Sequence, residues 1–303
     1  MSKIYFAPME GITTPVYRKV HKKYFGGVDR YFSPFIVVTS THNLKKRETR
    51  EYIPFEKDMT PQILTAAGTD FAWAAKMLKG LGYDEVNLNL GCPAATVVTK
   101  GKGAGLLRNK ENLRVFFEDV FSENDLPDIT IKTRCGFWSH DEAEELAEIF
   151  ADYPFKELIV HPRIREEFYQ GTPNPDSFKI IKNKVKCPVI YNGDIFDVSS
   201  LRDHLETDDG IMLGRGLLRN PMLAEMKDFD IYDSRLQGFL NELYDEYMSI
   251  MSGERDVLFK LKELWTYLIA SFPDREDEFK RLMKASTGAE YKASVNRIIH
   301  SYT

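Results

Sequence analysis

Along the first two thirds of the chain, short stretches of alternating or continuously apolar residues are separated by segments whose apolar positions fall three and four apart. The first kind predicts strands at Lys3 to Pro8, Tyr31 to Val38, Gln62 to Ala67, Asp84 to Leu90, Asp128 to Arg134, Glu157 to His161, Pro188 to Asn192 and Gly210 to Leu213. The second predicts helices within Phe71 to Leu81, Asn112 to Phe121, Asp141 to Tyr153, Pro175 to Asn183 and Val198 to Leu205. Eight strands alternating with helices predict an α/β fold, a closed (β/α)8 TIM barrel more than an open sheet. The charged, irregular stretch from His42 to Phe55 interrupts the alternation between the second and third strands. Beyond Pro221 helical spacing takes over, at Leu236 to Met251, Val257 to Ser271, Glu276 to Ser286 and Tyr291 to Ser301. The expected organisation is a barrel domain over residues 1–230 and a small all-helical C-terminal domain over residues 231–303.

A chain of 303 residues, 43% hydrophobic and 29% charged, can bury a barrel-sized core and a second, smaller one. Its apolar runs are far shorter than a membrane span, and Met1-Ser2-Lys3-Ile4 leads straight into a strand pattern, so a cytoplasmic protein off the membrane is expected. Cys92, Cys135 and Cys187 are widely spaced and form no C-x-x-C pair, which predicts reduced thiols and no metal. The net charge of -5 argues against a nucleic-acid footprint over the whole chain. Three local basic clusters remain: Lys45, Lys46, Arg47 and Arg50; Lys100, Lys102, Arg108 and Lys110; and Lys280, Arg281, Lys284, Lys292 and Arg297. Each taken alone is more simply a solvated face balanced by nearby acids.

Working residues in such barrels come from the C-terminal ends of the strands. Polar groups stand at most of those ends here: Pro8, Met9 and Glu10; Asn89 and Cys92; Lys132 and Arg134; His161 and Arg163; Asn192, Gly193 and Asp194; Gly214, Arg215 and Gly216; and Gln62 near the start of the third strand. Cys92 follows Gly91 in a strand-to-helix turn stiffened by Pro93, and it is either a small buried hydrophobe or a working thiol. Lys132, flanked by Ile129 and Ile131, needs an anionic partner, either a cofactor ring or a carboxylate elsewhere. Gly193, Gly214, Gly216 and Arg215 follow the last two strands, where barrels commonly hold phosphate. The Gly101-Lys102-Gly103-Ala104-Gly105 run lacks phosphate-loop spacing and reads as a mobile loop beyond Cys92.

The elements Ala7-Pro8-Met9-Glu10-Gly11-Ile12-Thr13, Asn89-Leu90-Gly91-Cys92-Pro93, Gly103-Ala104-Gly105-Leu106-Leu107, Lys132-Thr133-Arg134-Cys135-Gly136, His161-Pro162-Arg163, Asn192-Gly193-Asp194-Ile195 and Met212-Leu213-Gly214-Arg215-Gly216 stand in an order and spacing that resembles the tRNA-dihydrouridine synthases. The resemblance runs from the first strand to about Pro221, with a helical tail where that family has its RNA-binding domain. It implies an FMN barrel in which NADPH reduces the flavin, N5 passes hydride to C6 of a uridine in tRNA, and Cys92 supplies the proton at C5. Asn89 and Arg134 are then expected to hold the uracil, and Lys132 to meet the flavin near N1 and O2. Gln62 and His161 are similar to flavin-contacting residues, Pro8 and Met9 line the ring, and Asn192, Gly193, Asp194, Gly214 and Arg215 bind the ribityl phosphate. The implied partners are tRNA and NADPH, and a monomer is expected.

A thiol with a pKa of ~8.5 is mainly protonated at neutral pH and can donate without special tuning. Two features depart from the family pattern: after His161, Pro162 and Ile164 flank Arg163 where Gly-Arg-Thr is common, and the tail is short and rich in acids. Rival readings are an FMN barrel acting on a free pyrimidine, a non-catalytic RNA-binding barrel, and a phosphate-binding barrel without flavin.

Overall fold

Prolines split two of the eight expected strands. Pro34 and Pro61 offer no N–H to a neighbouring strand, so the ladder breaks at each and resumes beyond it. In the computed structural model, which describes residues 2–300, ten strand segments result among the described residues. They are β1 (Lys3–Phe6), β2 (Arg30–Phe32), β3 (Ile36–Val37), β4 (Met59–Thr60), β5 (Gln62–Leu64), β6 (Glu85–Leu90), β7 (Asp128–Gly136), β8 (Glu157–Ile164), β9 (Val189–Tyr191) and β10 (Gly210–Leu213).

Every pairing is parallel, in the order β3-β5-β6-β7-β8-β9-β10-β1-β2-β4. Because β2 and β3 are halves of one stave, and β4 and β5 halves of the next, the β2–β4 and β3–β5 pairings join the same two staves. The ring therefore closes, and the fold is the expected (β/α)8 barrel with a helical C-terminal part. Inward-facing Tyr5, Ala7, Phe32, Ile159, Ile190 and Met212 fill its centre. At the N-terminal ends of the strands, Glu157 takes Lys3 (2.5 Å) and the Tyr5 hydroxyl (2.9 Å), and Glu85 takes Lys156 (3.0 Å) and Arg30. Pairing offsets the cost of burying these carboxylates at the barrel floor.

The helices lie at Gly68–Gly80, Lys110–Phe121, Glu142–Ala151, Pro175–Lys184 and Val198–Thr207, close to their expected places. Pro175–Lys184 begins on a proline, with the Asn174 carboxamide accepting from Asp176 N (2.9 Å) and Ser177 N (3.1 Å), which satisfies two donors of its first turn. The stretch from His42 to Phe55 holds a short helix, Lys46–Thr49. The segment after Cys92 departs from expectation: Gly103–Arg108 is a 3-10 helix with Gly103, Ala104, Leu106 and Leu107 buried, not a loose loop.

The chain divides into two compact units. One comprises the residues up to Pro8, Asp29–Asp194 and Arg202–Leu213; the other comprises Met9–Val28, Ile195–Leu201 and the chain from Gly214 onward. The second unit draws in the helix Pro15–Tyr24 and contains Ser234–Ile250, Glu254–Leu268, Glu276–Lys284 and Gly288–His300. Ser301, the last residue of the expected fourth tail helix, lies outside the described residues. The acids of the tail have local work. Glu246 pairs with Lys19 (2.8 Å), Glu242 with Lys23 (2.6 Å), and Tyr247 bonds Thr14 (2.7 Å), so they fasten Ser234–Ile250 to Pro15–Tyr24. The third basic cluster is likewise balanced, with Arg281 and Arg297 both on Glu278 and Lys280 on Asp277.

Candidate active site

Strand register sets the candidate residues in rows. Gln62 pairs with Asn87 and Asn87 with Thr130, making a lower row of polar side chains. One step up, Asn89 pairs with Lys132 and Lys132 with Ile159; above that Arg134 pairs with His161. Side chains two apart on a strand share a face, so Asn87 and Asn89 project together, as do Thr130, Lys132 and Arg134. Amides run through the rows as a relay. Asn87 donates to Thr130 Oγ1 (2.8 Å), Gln62 to Asn87 Oδ1 (2.7 Å) and Asn89 to Gln62 Oε1 (2.8 Å).

The relay ends on the cysteine. Asn89 Oδ1 accepts from Gly91 N (3.1 Å) and Cys92 N (2.9 Å), folding the turn back on the strand. Below the turn, Ala104 N donates to the Cys92 carbonyl (3.1 Å), and Lys102 Nζ donates to the Val38 carbonyl (2.9 Å). Lys102 is thus buried in support of the Cys92 loop and is not a surface cation for RNA. Gly103 sits at φ +56°, where a Cβ would come within 2.9 Å of the Cys92 carbonyl oxygen. Gly103→Ala should therefore displace the Cys92 turn and lower turnover at least tenfold while the protein stays folded; an unchanged rate would show that the turn tolerates the shift.

Cys92 is half-exposed, whereas Cys135 is buried. Burial pushes the Cys135 thiol up to about 12 and the Cys187 thiol up to about 11, leaving both inert at neutral pH. Cys92 lies within electrostatic reach of both Lys132 and Arg134. Burial, and next the charge of Arg134, pull the Lys132 ammonium down to about 7, with Cys92 acting in the opposite sense. No carboxylate is among the groups that set the charge environment of Lys132, which are burial, Arg134 and Cys92. Of the two partners the sequence left open, the carboxylate is not there.

Arg134, pulled down to about 10 by burial, remains charged at neutral pH. Its Nε donates to the Gly91 carbonyl (2.8 Å), Nη1 to Ile164 (2.9 Å) and Nη2 to Phe168 (2.8 Å). Arg163, fully buried, donates to His161 Nε2 (3.0 Å) and holds the Asp194 carboxylate. Since a guanidinium only donates, His161 Nε2 is the acceptor and a neutral His161 carries its proton on Nδ1. The Asp194 carboxylate is occupied by Arg163, so an anion could be met there by backbone N–H groups and not by that side chain.

Asn192 is tied down through its carboxamide, which donates to the Met212 carbonyl (2.7 Å). Gly193 leaves room for Pro173, whose ring would lie 3.1 Å from a Cβ there. Pro8 ends the first unit's opening segment, half-buried. Met9, Gly214 and Arg215 belong to the second unit, where Met9 N donates to Thr13 Oγ1 (2.8 Å) and the Arg215 guanidinium lies 5.6 Å from the Phe196 ring. Sequence reasoning missed Asn87 and Thr130, although their two-residue offsets from Asn89 and Lys132 mark the same inward faces. It named Arg163 only as a neighbour of His161, because hydrogen bonds to Asp194 and to the 170–171 backbone leave no periodic trace.

A closed parallel barrel with a thiol, an amine and a guanidinium gathered at the C-terminal ends of β6 and β7 is the architecture of a barrel enzyme. A family model described as dihydrouridine synthase matches residues 5–295. A probable tRNA-dihydrouridine synthase of Rickettsia conorii is 33% identical over 236 residues, 75% of this chain and 70% of that protein. One from Rhodobacter capsulatus is 28% identical over 300 residues, covering 94% and 92% of the two chains. The chain belongs to the dihydrouridine synthase family and is an oxidoreductase.

Among solved structures, histamine dehydrogenase from Rhizobium sp. 4-9 superposes with a TM-score of 0.53 at 13% identity, over 86% of this chain and 49% of that one. Morphinone reductase does so with a TM-score of 0.52 at 12% identity, over 77% and 88%. At such identities the likeness speaks for the barrel fold alone. No helix among the described residues is long and apolar enough to cross a membrane.

Proposed function

We propose that this protein is a flavin-dependent tRNA-dihydrouridine synthase that reduces the C5–C6 double bond of uridines in tRNA, with FMN as its cofactor and NADPH as its reductant. The observation that carries the reading is Lys132, a lysine drawn to about 7 by burial with no carboxylate among the groups that shift it. An ammonium in that state fits the N1–O2 edge of a flavin, which becomes anionic on reduction. The polar row of Gln62, Asn87 and Asn89 beside it, and His161 with a fixed tautomer, suit the polar edge of the same ring.

A bound flavin would supply the reducing equivalent that adds at C6 of the uracil. The chain's own residues do the rest. Cys92 delivers the proton to C5 from its sulfur, and the Asn89 turn holds that sulfur in place. Arg134 lends positive charge where the C5–O4 side of the ring turns negative, which lowers the barrier; its three backbone bonds prevent it from drifting. Pro8 supplies apolar surface to the ring. The phosphate end is assigned to the backbone N–H groups of Gly193 and Asp194. The names of the relatives support tRNA over a free pyrimidine, and the work takes place in the cytoplasm.

The test is mass-spectrometric mapping of dihydrouridine in tRNA from cells lacking the protein. At least one position should revert to uridine and be restored by the purified, yellow protein with NADPH. Intact dihydrouridine at every position, or a colourless protein that binds no FMN, contradicts the proposal.

A further inference from the structure

Two buried arginines clamp a short segment whose tip is aromatic and exposed. Arg134 holds the carbonyls of Ile164 and Phe168, and Arg163 holds those of Gln170 (3.0 Å) and Gly171 (2.5 Å). Between the clamps Phe168 sits at φ +50°, ψ -98°, a conformation that a bulky residue adopts only under constraint. The outcome of that constraint is to present Phe168 and Tyr169 outward, 40% and 52% exposed; Trp138, 61% exposed, is linked to Phe168 through Phe137 and Arg165. Large aromatics held rigidly toward solvent bury no core.

Cations are interleaved with these rings. Arg165 lies 5.1 Å from the Phe168 ring and 5.8 Å from Phe137, while pairing with Glu166 (2.8 Å). Arg108 lies 4.9 Å from Phe137, whose edge meets Trp138 at 4.5 Å. Tyr169 stands 5.6 Å from the Arg134 guanidinium and stacks on His161 at 6.0 Å. The patch is continuous with the candidate active site, because the guanidinium that grips Phe168 also grips Gly91, next to Cys92.

We propose that Phe168 and Tyr169 form a base-stacking clip that takes unpaired nucleobases of the RNA next to the uridine being reduced. The inference rests on the function proposed above. Flat apolar faces interleaved with guanidinium groups match a single strand, whose bases stack on aromatic rings while its phosphates meet cations. A base flipped out for reaction leaves its neighbours unstacked, and a rigid aromatic surface at the rim offsets part of that loss.

The test uses full-length, flavin-loaded Phe168→Ala and Tyr169→Ala proteins. The KM for an unmodified tRNA transcript should rise about tenfold or more in each, with a smaller change in kcat, and Phe168→Trp and Tyr169→Phe should restore it. Flavin content and thermal midpoint are measured alongside, since a purely structural role would move those and would not be rescued selectively in KM. In a second arm, a short single-stranded RNA carrying 2-aminopurine should lose fluorescence on binding the wild type and lose less on binding either alanine variant. If the wild type reduces uridine in tRNA but the variants keep its KM and the same quenching, the clip is overturned and the proposed function stands. If the wild type reduces no uridine in tRNA, the proposed function fails and the clip with it.

Discussion

Cys92→Ala is expected to slow dihydrouridine formation by about 10²- to 10⁴-fold, the usual contribution of a placed proton donor, while the protein keeps its flavin and its reduction by NADPH. In the proposed mechanism the sulfur donates to substrate carbon and takes no part in the cofactor's own reduction, so the two half-reactions should separate cleanly. Rapid mixing of NADPH-reduced protein with tRNA reads the loss directly. Cys135→Ala and Cys187→Ala are the controls: both thiols are buried or held up in pKa, and neither change should slow turnover. A Cys92→Ala protein with undiminished turnover would remove the thiol from the chemistry.

Lys132→Met should produce two opposite effects. Turnover should fall about 10²- to 10³-fold, the scale of losing one charged donor from a preorganised site, and the flavin should bind more weakly. The cofactor-free protein should become more stable. In the unfolded chain the lysine keeps its proton to ~10.4, whereas in the folded protein burial releases it near 7. Above that point the unfolded state binds more protons, so wild-type stability should rise with pH from about 7 upward, and below it the folded state carries the full penalty of a buried cation.

The variant has no such penalty and should gain on the order of a few kcal/mol below pH 7, converging on wild type toward pH 10. Comparing the two proteins isolates the lysine, because Cys135 and Cys187, raised to about 12 and about 11, pull wild type and variant alike in the other direction above ~8.5. Denaturant titrations of both apo proteins across pH 6 to 9 check this. A variant no more stable than wild type at pH 6 would mean that Lys132 finds an anion within the protein itself.

Much of the barrel was legible because strand and helix periods are local properties. Eight staves, the helices between them and the helical tail follow from spacing alone. The split of two staves also had a local cause, Pro34 and Pro61, and could have been anticipated. What the sequence could not carry is the direction in which polar side chains at the rim spend their hydrogen bonds. Asn89 was expected to face substrate; its carboxamide is engaged by Gln62 and by the Cys92 turn, from partners up to 27 residues away. Arg134 was expected to hold uracil; three of its N–H groups also hold backbone, 30 to 43 residues distant, which fixes the guanidinium in place.

Lys102 shows the same limit from the other side, since a basic cluster in sequence became a buried strut in the fold. The acidic tail looked ill suited to RNA. Two of its carboxylates, Glu242 and Glu246, proved to be ties to Pro15–Tyr24, a partner more than 200 residues earlier. Such long-range pairings depend on register and closure, and those are decided by the whole barrel.

The most direct measurement is a single turnover without oxygen. The purified protein is reduced with one equivalent of NADPH and mixed with tRNA lacking dihydrouridine, while flavin absorbance and nucleoside composition are followed together. The account predicts that oxidised flavin returns as an equal amount of dihydrouridine appears, in wild type and not in Cys92→Ala. Reduced flavin that tRNA leaves untouched while a free pyrimidine reoxidises it would contradict the account.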